Sequence, residues 1–207
     1  MYIAVSGNIG SGKTTLTSKL AKHYGWKAEF EAVDNNPSLE DFYKDMQRWA
    51  FHLQIYFLNS RFKQVTSIAQ REQTTIQDRT IYEDAYIFAA NLYQSKLLSE
   101  QDYQTYLNLF RSMVAYAKPP DLLIYLKADI PKLVSQIQKR GRSYEDAIRL
   151  DYLKNLNHHY DHWTSNYKDG RLLVIDVNNL DFVANVEDFS YIVENIELEL
   201  NGLFTAK

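Results

Sequence analysis

Short apolar runs alternate with longer segments of helical periodicity along the whole chain. Five runs predict strands, over residues 2–6, 27–33, 73–78, 121–126 and 171–177. Helical spacing of apolar residues predicts helices over 12–24, 39–71, 82–95, 100–117, 131–139, 145–167 and 187–200. Alternating strands and helices form a parallel sheet covered on both faces, with ligands beyond the carboxyl ends of the strands. The pattern therefore predicts an α/β fold with a five-stranded parallel sheet, and it leaves the strand order open.

The composition fits a single domain over residues 1–207. The chain has 207 residues, of which 45% are hydrophobic, which is enough to bury a core. Its 23 basic and 26 acidic side chains give a net charge of -3, which argues against a nucleic-acid polymer or an anionic membrane as the main partner. Cysteine is absent, so disulfides and cysteine zinc sites are excluded. We find no secretory leader pattern and no apolar run of about 20 residues, and we expect a cytoplasmic protein.

A glycine-rich loop follows the first predicted strand. Gly7, four further residues, then Gly12, Lys13 and Thr14 match the spacing of a phosphate-binding P-loop between a strand and a helix. Backbone N–H groups of such a loop point at a polyphosphate, the lysine reaches its terminal phosphates, and the hydroxyl binds Mg²⁺. A guanine-nucleotide switch is disfavoured, because the chain has no Asp-x-x-Gly sequence and no complete guanine-reading motif. The loop identifies a nucleotide donor and leaves the acceptor open.

Polar residues at two predicted strand ends supply candidates for the acceptor side. Glu31 lies near the predicted end of the second strand, where a carboxylate can take the proton of an attacking hydroxyl. The alternative is that Glu31 is a solvated acid at the end of the strand. Glu29, further back on the strand, is interpreted as structural. Asp78 and Arg79 end the third strand, where an acid can order Mg²⁺ and a guanidinium can stabilise a transferred phosphoryl group. A surface ion pair is the alternative, and residues 73–77 before it are unusually polar for such a strand.

Two helical pairs suggest a base-binding surface. Gln54 and Arg61 are two turns apart on one helix face, and Asp84 and Phe88 are one turn apart on the next helix. An amide, a guanidinium, a carboxylate and a ring can together read the edge and face of a planar base. The alternative is a pair of core helices with an internal Arg61–Asp84 bridge, and spacing alone leaves both open.

Taken together in order, these residues resemble the deoxyribonucleoside kinase family, closest to the bacterial deoxyadenosine and deoxyguanosine kinases. The likeness covers about residues 2 to 182. It is carried by the loop, Glu31-x-Val33, Tyr43, Trp49-x-Phe51-x-x-Gln54-x-Tyr56-x-x-x-x-Arg61, Asp78-Arg79-Thr80-x-Tyr82-x-Asp84 and Arg140-Gly141-Arg142-x-x-Glu145. The resemblance implies a P-loop kinase fold with an arginine-bearing lid at about 140–146.

The resemblance also implies a role for each acceptor-side residue. Glu31 would activate the 5′-hydroxyl of a deoxynucleoside, and Arg79 would steady that carboxylate and the transferred phosphoryl group. Tyr43 and Glu145 would hold the sugar 3′-hydroxyl. Gln54 would pair with the base edge and Phe88 would stack on its face. Arg61 and Asp84 would complete the base site.

On the donor side, the resemblance implies ATP and Mg²⁺ as cofactors. The loop residues that would hold the phosphates are Gly7, Asn8, Ile9, Gly10, Ser11, Gly12, Lys13, Thr14 and Thr15. Lys13 and Arg140 would act in catalysis. Arg140 and Arg142 would both belong to the lid over the phosphates. Thr14 and Asp78 would ligate Mg²⁺. Asp181 and Phe182 would line the donor adenine.

Two departures from the family pattern are visible. The family often has glutamate where this chain has Asp78, which is one methylene shorter and puts the metal shell in question. Many members carry a basic residue where this chain has Gln136, so the lid holds fewer positive charges, with Lys139 a partial substitute.

The expected reaction is ATP-dependent phosphorylation of the 5′-hydroxyl of a deoxynucleoside, with deoxyadenosine favoured and deoxyguanosine or deoxycytidine as alternatives. A nucleoside-monophosphate kinase is disfavoured, because residues 31–54 offer only Lys44 and Arg48 for a second phosphate. A non-catalytic nucleotide sensor is the third hypothesis. The resemblance further implies inhibition by dATP and a homodimer formed through residues 42–62 and 100–117.

Overall fold

In the computed structural model, which describes residues 1–31, 36–142, 145 and 148–202, all five strands join one parallel sheet. The strands are β1 (Tyr2–Gly7), β2 (Lys27–Glu29), β3 (Thr75–Asp78), β4 (Leu122–Lys127) and β5 (Arg171–Asp176). Their order is β2-β3-β1-β4-β5. The predicted α/β class and the five-stranded parallel sheet are confirmed, and β2 is shorter than predicted because it ends at Glu29.

Helices cover both faces of the sheet. They are α1 (Lys13–Tyr24), α2 (Leu39–Lys44), α3 (Met46–Ala69), α4 (Ile81–Glu83), α5 (Ala90–Gln94), α6 (Glu100–Val114), α7 (Ile130–Arg140), α8 (Leu150–Ser165) and α9 (Val186–Asn201), with a π-helical turn (Asp84–Ala89) between α4 and α5. The main core packs apolar residues of β1 and β4 against α1, α7 and α9; its fully buried members include Ile3, Val5, Leu16, Leu20, Ile124 and Ile196.

The helix predicted over 39–71 is wrong as a single element. It divides at Asp45, whose φ of -144° and ψ of 84° leave the helical region. The Asp45 carboxylate accepts a hydrogen bond from the backbone N–H of Arg48 and so caps the start of α3. The chain therefore turns between α2, which carries Tyr43, and α3, which carries Gln54.

The segment after β3 also departs from a plain helix. Thr80 and Glu83 form a reciprocal capping box that starts α4 at Ile81. The π-helical turn that follows contains both Asp84 and Phe88. Such wide turns are rare and often occur at functional sites.

Of the lid predicted at about 140–146, residues 143–144 and 146 lie outside the described residues. The described part begins where α7 ends at Arg140, and Gly141 closes that helix with a φ of 65°. Residues 32–35, which include Val33 of the sequence motif, also lie outside the described part. Within the described ranges, no helix combines the length and the hydrophobicity that crossing a membrane requires.

Candidate active site

A cavity of about 610 Å³ opens at the carboxyl ends of β1 and β3. It is bounded at one end by the glycine loop and at the other by side chains from α2, α3, the π-helical turn and the described lid residues. Its wall includes Lys13, Thr14, Thr15, Glu31, Tyr43, Gln54, Asp78, Arg79, Asp84, Phe88, Arg140, Arg142 and Glu145. Most residues predicted for the two substrates therefore meet in one continuous space.

The glycine loop is held in a shape that side chains would prevent. Gly10 and Gly12 have φ values of 87° and 94°, in the left-handed region that favours glycine. A Cβ at Gly10 would lie 2.7 Å from the Leu133 carbonyl oxygen. The Asn8 side chain donates to the carbonyl of Leu153 at 3.0 Å, which ties the loop to α8. The loop is thus preformed as a cradle for phosphates.

Lys13 is buried at the base of this cradle. Its Nζ donates to the Asn8 carbonyl oxygen at 3.0 Å. Burial and the nearby Arg79 guanidinium lower the pKa of Lys13 to about 8, against the opposing effect of Asp78 and Glu31. A buried ammonium with so few acceptors around it favours an anionic ligand such as a phosphate.

Thr14 and Asp78 meet at the edge of the cradle. The Thr14 hydroxyl donates to Asp78 Oδ2 at 2.5 Å. The other carboxylate oxygen, Asp78 Oδ1, is buried, and no described residue gives it a hydrogen bond. A hydroxyl beside an unsatisfied carboxylate oxygen fits an Mg²⁺ that also binds phosphate. No group of three or more acidic, histidine or cysteine ligands occurs among the described residues, so such an ion would depend on the phosphates for further ligands.

Glu31 lies two residues beyond the end of β2 and points into the cavity. Its Oε1 accepts a hydrogen bond from Arg61 Nη2 at 3.1 Å, and Arg79 Nε lies 3.1 Å from the same oxygen in an ion pair too bent for a hydrogen bond. Burial raises the pKa of Glu31, but Arg79, Arg61 and Lys13 together outweigh burial and leave the pKa below its ordinary value. The carboxylate is therefore ionised at neutral pH.

Arg79 reaches this position through an unusual backbone. Its φ is 70°, a left-handed conformation that is uncommon for arginine, and its N–H donates to the Val5 carbonyl at 2.9 Å. The guanidinium carbon lies 4.2 Å from the centre of the Phe88 ring. The Arg79 guanidinium thus contacts both Glu31, the predicted general base, and one face of Phe88, the predicted stacking ring.

Of the residues predicted to bind the nucleobase, Gln54, Asp84 and Phe88 line the cavity, whereas Arg61 lies behind its wall. Gln54 is 2% exposed and lines the cavity, and its Oε1 has no hydrogen-bond partner among the described residues. Asp84 also lines it, and burial raises the pKa of Asp84 to about 7 against the opposing effect of Arg61 and Arg79. Arg61 is different, because it is buried behind the cavity wall and bonds to Asp84 at 3.5 Å.

Contact of Arg61 with a base stays a prediction, and in this structure its guanidinium lies behind the cavity wall. The internal Arg61–Asp84 bridge, which the spacing left open, is the arrangement that the structure has. Arg61 also donates to the Asp78 carbonyl oxygen at 2.9 Å. Its three acidic and carbonyl partners make it a support that holds Glu31, Asp78 and Asp84 in place.

The two residues predicted for the sugar hydroxyl, Tyr43 and Glu145, both line the cavity. Glu145 is 5% exposed and accepts two hydrogen bonds from Arg140, Nε to Oε2 at 3.0 Å and Nη2 to Oε1 at 2.5 Å. Arg142 Nη1 lies 3.8 Å from the same Oε1. In this structure the described lid arginines therefore face Glu145.

Asp181 and Phe182 are placed outside the cavity wall. Phe182 is 6% exposed and packs on the glycine loop, where a Cβ at Gly12 would lie 2.8 Å from its Cζ. Asp181 accepts hydrogen bonds from the N–H groups of Val183 and Ala184 and so closes a local turn. Their contact with a donor adenine stays a prediction.

Glu83 also supports the site, although it was not among the residues predicted for it from the sequence. This carboxylate is fully buried and accepts from the Thr80 N–H at 2.7 Å and from the Tyr160 hydroxyl at 2.9 Å. The Gly7 N–H points to it at 3.4 Å. The spacing of Thr80 and Glu83 is a capping-box signal, which identifies the helix start but says nothing of the loop contact.

Comparisons with known proteins find kinases that are similar over nearly the whole chain. The deoxyadenosine/deoxycytidine kinase of Bacillus subtilis (strain 168) is 40% identical over 196 residues, which cover 94% of this chain and 90% of the relative. The deoxyadenosine kinase of Lactobacillus acidophilus is 38% identical over 210 residues, which cover 97% of each chain. A solved structure of the deoxyadenosine kinase from M. mycoides with bound dATP has a TM-score of 0.85 and 33% identity, covering 95% of this chain and 99% of that one.

A family model described as deoxynucleoside kinase matches residues 3–200. This match and the relatives extend over nearly the whole chain. The chain therefore belongs to the deoxynucleoside kinase family.

Proposed function

We propose that this kinase transfers the terminal phosphoryl group of ATP to the 5′-hydroxyl of deoxyadenosine, in a purine salvage reaction that releases the deoxynucleoside monophosphate. The observation that carries the proposal is the ionised Glu31, held by Arg79 and Arg61 in the same cavity as the phosphate cradle. An anion in that place assists a neutral hydroxyl, whose proton it accepts, and repels an acceptor that already carries a phosphate.

The proposed transfer forms a bond between the 5′-oxygen and the terminal phosphorus and breaks the bond from that phosphorus to the oxygen bridging to the adjacent phosphate. The hydroxyl proton goes to Glu31. Lys13 and Arg79 stabilise the negative charge on the transferred group from two sides. Thr14 and Asp78 are the residues that would hold Mg²⁺, which neutralises phosphate charge when bound.

The state of Gln54 favours a base with an amino group at the position of adenine N6 or cytosine N4. Its buried Oε1 lacks a donor, and the exocyclic amines of adenine and cytosine are donors. The corresponding group of guanine is a carbonyl, which would meet Gln54 Oε1 as a second acceptor unless the amide turned over. The ring of Phe88, stacked on Arg79 on one side, offers a face to the base.

The acceptor end offers little for a second phosphate. Lys44 pairs with Asp41 at 3.8 Å, and Arg48 stacks at 5.7 Å on the Trp49 ring. Both side chains are exposed, and neither lines the cavity. This placement supports a nucleoside over a nucleoside monophosphate as the acceptor.

A panel of nucleosides with Mg·ATP tests the substrate assignment. We expect the highest kcat/KM with deoxyadenosine, deoxycytidine second, and deoxyguanosine lower by roughly 10- to 100-fold, since a mispaired base edge costs about 1–3 kcal/mol. Product formation read by chromatography gives the ranking. Phosphorylation of deoxyadenosine monophosphate in preference to deoxyadenosine would overturn the neutral-acceptor assignment.

The substitution Glu31→Gln tests whether Glu31 is the general base of the transfer. The amide keeps the size and the acceptor oxygen but cannot take a proton at neutral pH, so turnover should fall by about 10²–10⁴-fold. ATP binding, measured by calorimetry, should persist because the cradle is untouched.

Glu29→Gln is the matched control for that experiment. Glu29 lies two residues away, pairs with Arg71 at 2.5 Å and does not line the cavity, so its substitution should leave turnover unchanged. Full turnover by Glu31→Gln would remove Glu31 from the mechanism. Nucleotide binding with no turnover by the unaltered protein would favour the sensor hypothesis.

Inhibition by dATP is proposed on the continuity of the cavity. One ligand can reach both Gln54 with its base and Lys13 with its phosphates, because both line the same space. We expect dATP to raise the apparent KM for ATP, and dTTP, whose base edge matches Gln54 less well, to do so more weakly. The test measures initial rates at several concentrations of ATP and of each deoxynucleotide. If neither dATP nor dTTP changes the apparent KM for ATP, the proposed inhibition is rejected.

Homodimerisation is proposed through α3 and α6, which pack side by side around Leu58, Tyr106 and Phe110. The outward side of α6 includes Leu109, 38% exposed, and the segment that follows carries Tyr116, 78% exposed. Light scattering should give twice the 24.3 kDa chain mass, and Leu109→Glu should shift it towards one chain. A single-chain mass for the unaltered protein at micromolar concentration would rule the dimer out.

A further inference from the structure

Gln77 is one of the polar residues that make the sequence of β3 unusual, and it is buried. This amide is 0% exposed in the middle of the sheet, where an apolar side chain is the norm for a parallel strand. Its Oε1 accepts a hydrogen bond from the Tyr2 hydroxyl, and its Nε2 donates to Gln64 Oε1 at 2.9 Å. Most buried side-chain amides have hydrogen-bond partners, and those of Gln77 connect the sheet to α3.

Gln64, on α3, is the point at which this network meets the site. Its Oε1 accepts from Gln77 and also from Arg61 Nη1 at 3.2 Å. Its Nε2 donates to the Phe30 carbonyl oxygen at 2.6 Å. One amide therefore binds both the residue before Glu31 and the guanidinium that holds the Glu31 carboxylate.

These two contacts hold the segment of Phe30 and Glu31, which lies beyond the end of β2. The ladder of β2 ends at Glu29, so no described strand pairing fixes the backbone at Phe30 or Glu31. The carboxylate has to be aimed from a segment outside the sheet. The Gln64–Phe30 hydrogen bond fixes that segment from its amino-terminal side, and the Gln64–Arg61 hydrogen bond fixes the cation on which the carboxylate rests.

We propose that Gln64 is a positioning residue for phosphoryl transfer, which aims Glu31 by holding the Phe30 carbonyl and the Arg61 guanidinium together. The proposal rests on the proposed role of Glu31 as the base. Gln64 does not line the cavity, so it acts through its neighbours and not on the substrate. Gln77 and Tyr2 fix the amide from the sheet side and determine which end of it faces Arg61.

The size of the effect is bounded by what remains without Gln64. Arg61 keeps its bonds to the Asp78 carbonyl and to Asp84, so it stays near Glu31, while the Phe30 carbonyl loses its partner. A small displacement of a reacting group costs up to about 10²-fold in rate, and we expect a loss of roughly tenfold.

Single-turnover measurement of the transfer step, in two backgrounds, tests the proposal. Gln64→Met removes all three hydrogen bonds at similar length and should slow transfer roughly tenfold in the otherwise unaltered protein, with the KM for deoxyadenosine changed by less than about threefold. In the Glu31→Gln background, where no base remains to be aimed, it should slow transfer by less than about twofold. A loss of the same size in both backgrounds would mean a general structural role and would overturn the proposal.

Two further variants keep the experiment decisive. Gln64→Glu keeps the acceptor for Arg61 but sets a carboxylate oxygen against the Phe30 carbonyl, and it should show the same dependence on background if Gln64→Met folds poorly. Gln47→Met, an exposed glutamine on the same helix, should change nothing. Full turnover by Glu31→Gln alone would remove the base and this proposal together, whereas a slow Glu31→Gln with no effect of Gln64→Met would reject Gln64 only.

Discussion

The pairing of Glu31 with two guanidinium groups is the interaction on which the rest of the site depends. An isolated buried carboxylate costs several kcal/mol, and Arg61 and Arg79 compensate that cost from opposite elements, α3 and the end of β3. Around this pairing, the cations Lys13, Arg61 and Arg79 lie among the acids Glu31, Asp78, Glu83 and Asp84. The pKa of Asp84 is raised to about 7, mainly by burial, whereas the pKa of Glu31 lies below its ordinary value and its carboxylate stays charged.

The sheet order explains why these groups can meet. β1 lies between β3 and β4, and Val5 pairs with Asp78, so the glycine loop leaves the sheet directly beside the Asp78–Arg79 end of β3. Because parallel strands present their carboxyl ends at one edge, the glycine loop and the charges proposed to act on the terminal phosphate of the donor line the same side of the cavity. The strained φ of Arg79 is held by its bond to Val5, within the same pair of strands.

Support from behind distinguishes this site from a set of cavity-lining side chains. Arg61, Gln64 and Glu83 do not line the cavity, yet each joins two or more of the segments that do. Catalytic geometry needs such fixed backing, since the reacting groups sit on strand ends and loops. The lid side is organised differently, because Arg140 and Arg142 rest on Glu145, a residue of the opposite charge within the cavity wall.

The sequence alone determined the fold class, the phosphate cradle and the family, because each depends on local spacing: the glycines, the periodicity and the motifs in order. It also identified most of the cavity-lining residues, which later met in one space. Only the tertiary structure decided that Arg61 lies behind the wall, that α2 and α3 divide at Asp45, and that Gln64, Gln77 and Glu83 belong to the site. The reason is physical: those roles depend on contacts between residues distant in sequence, such as Arg61 with Glu31 and Glu83 with Tyr160, for which local patterns carry no signal.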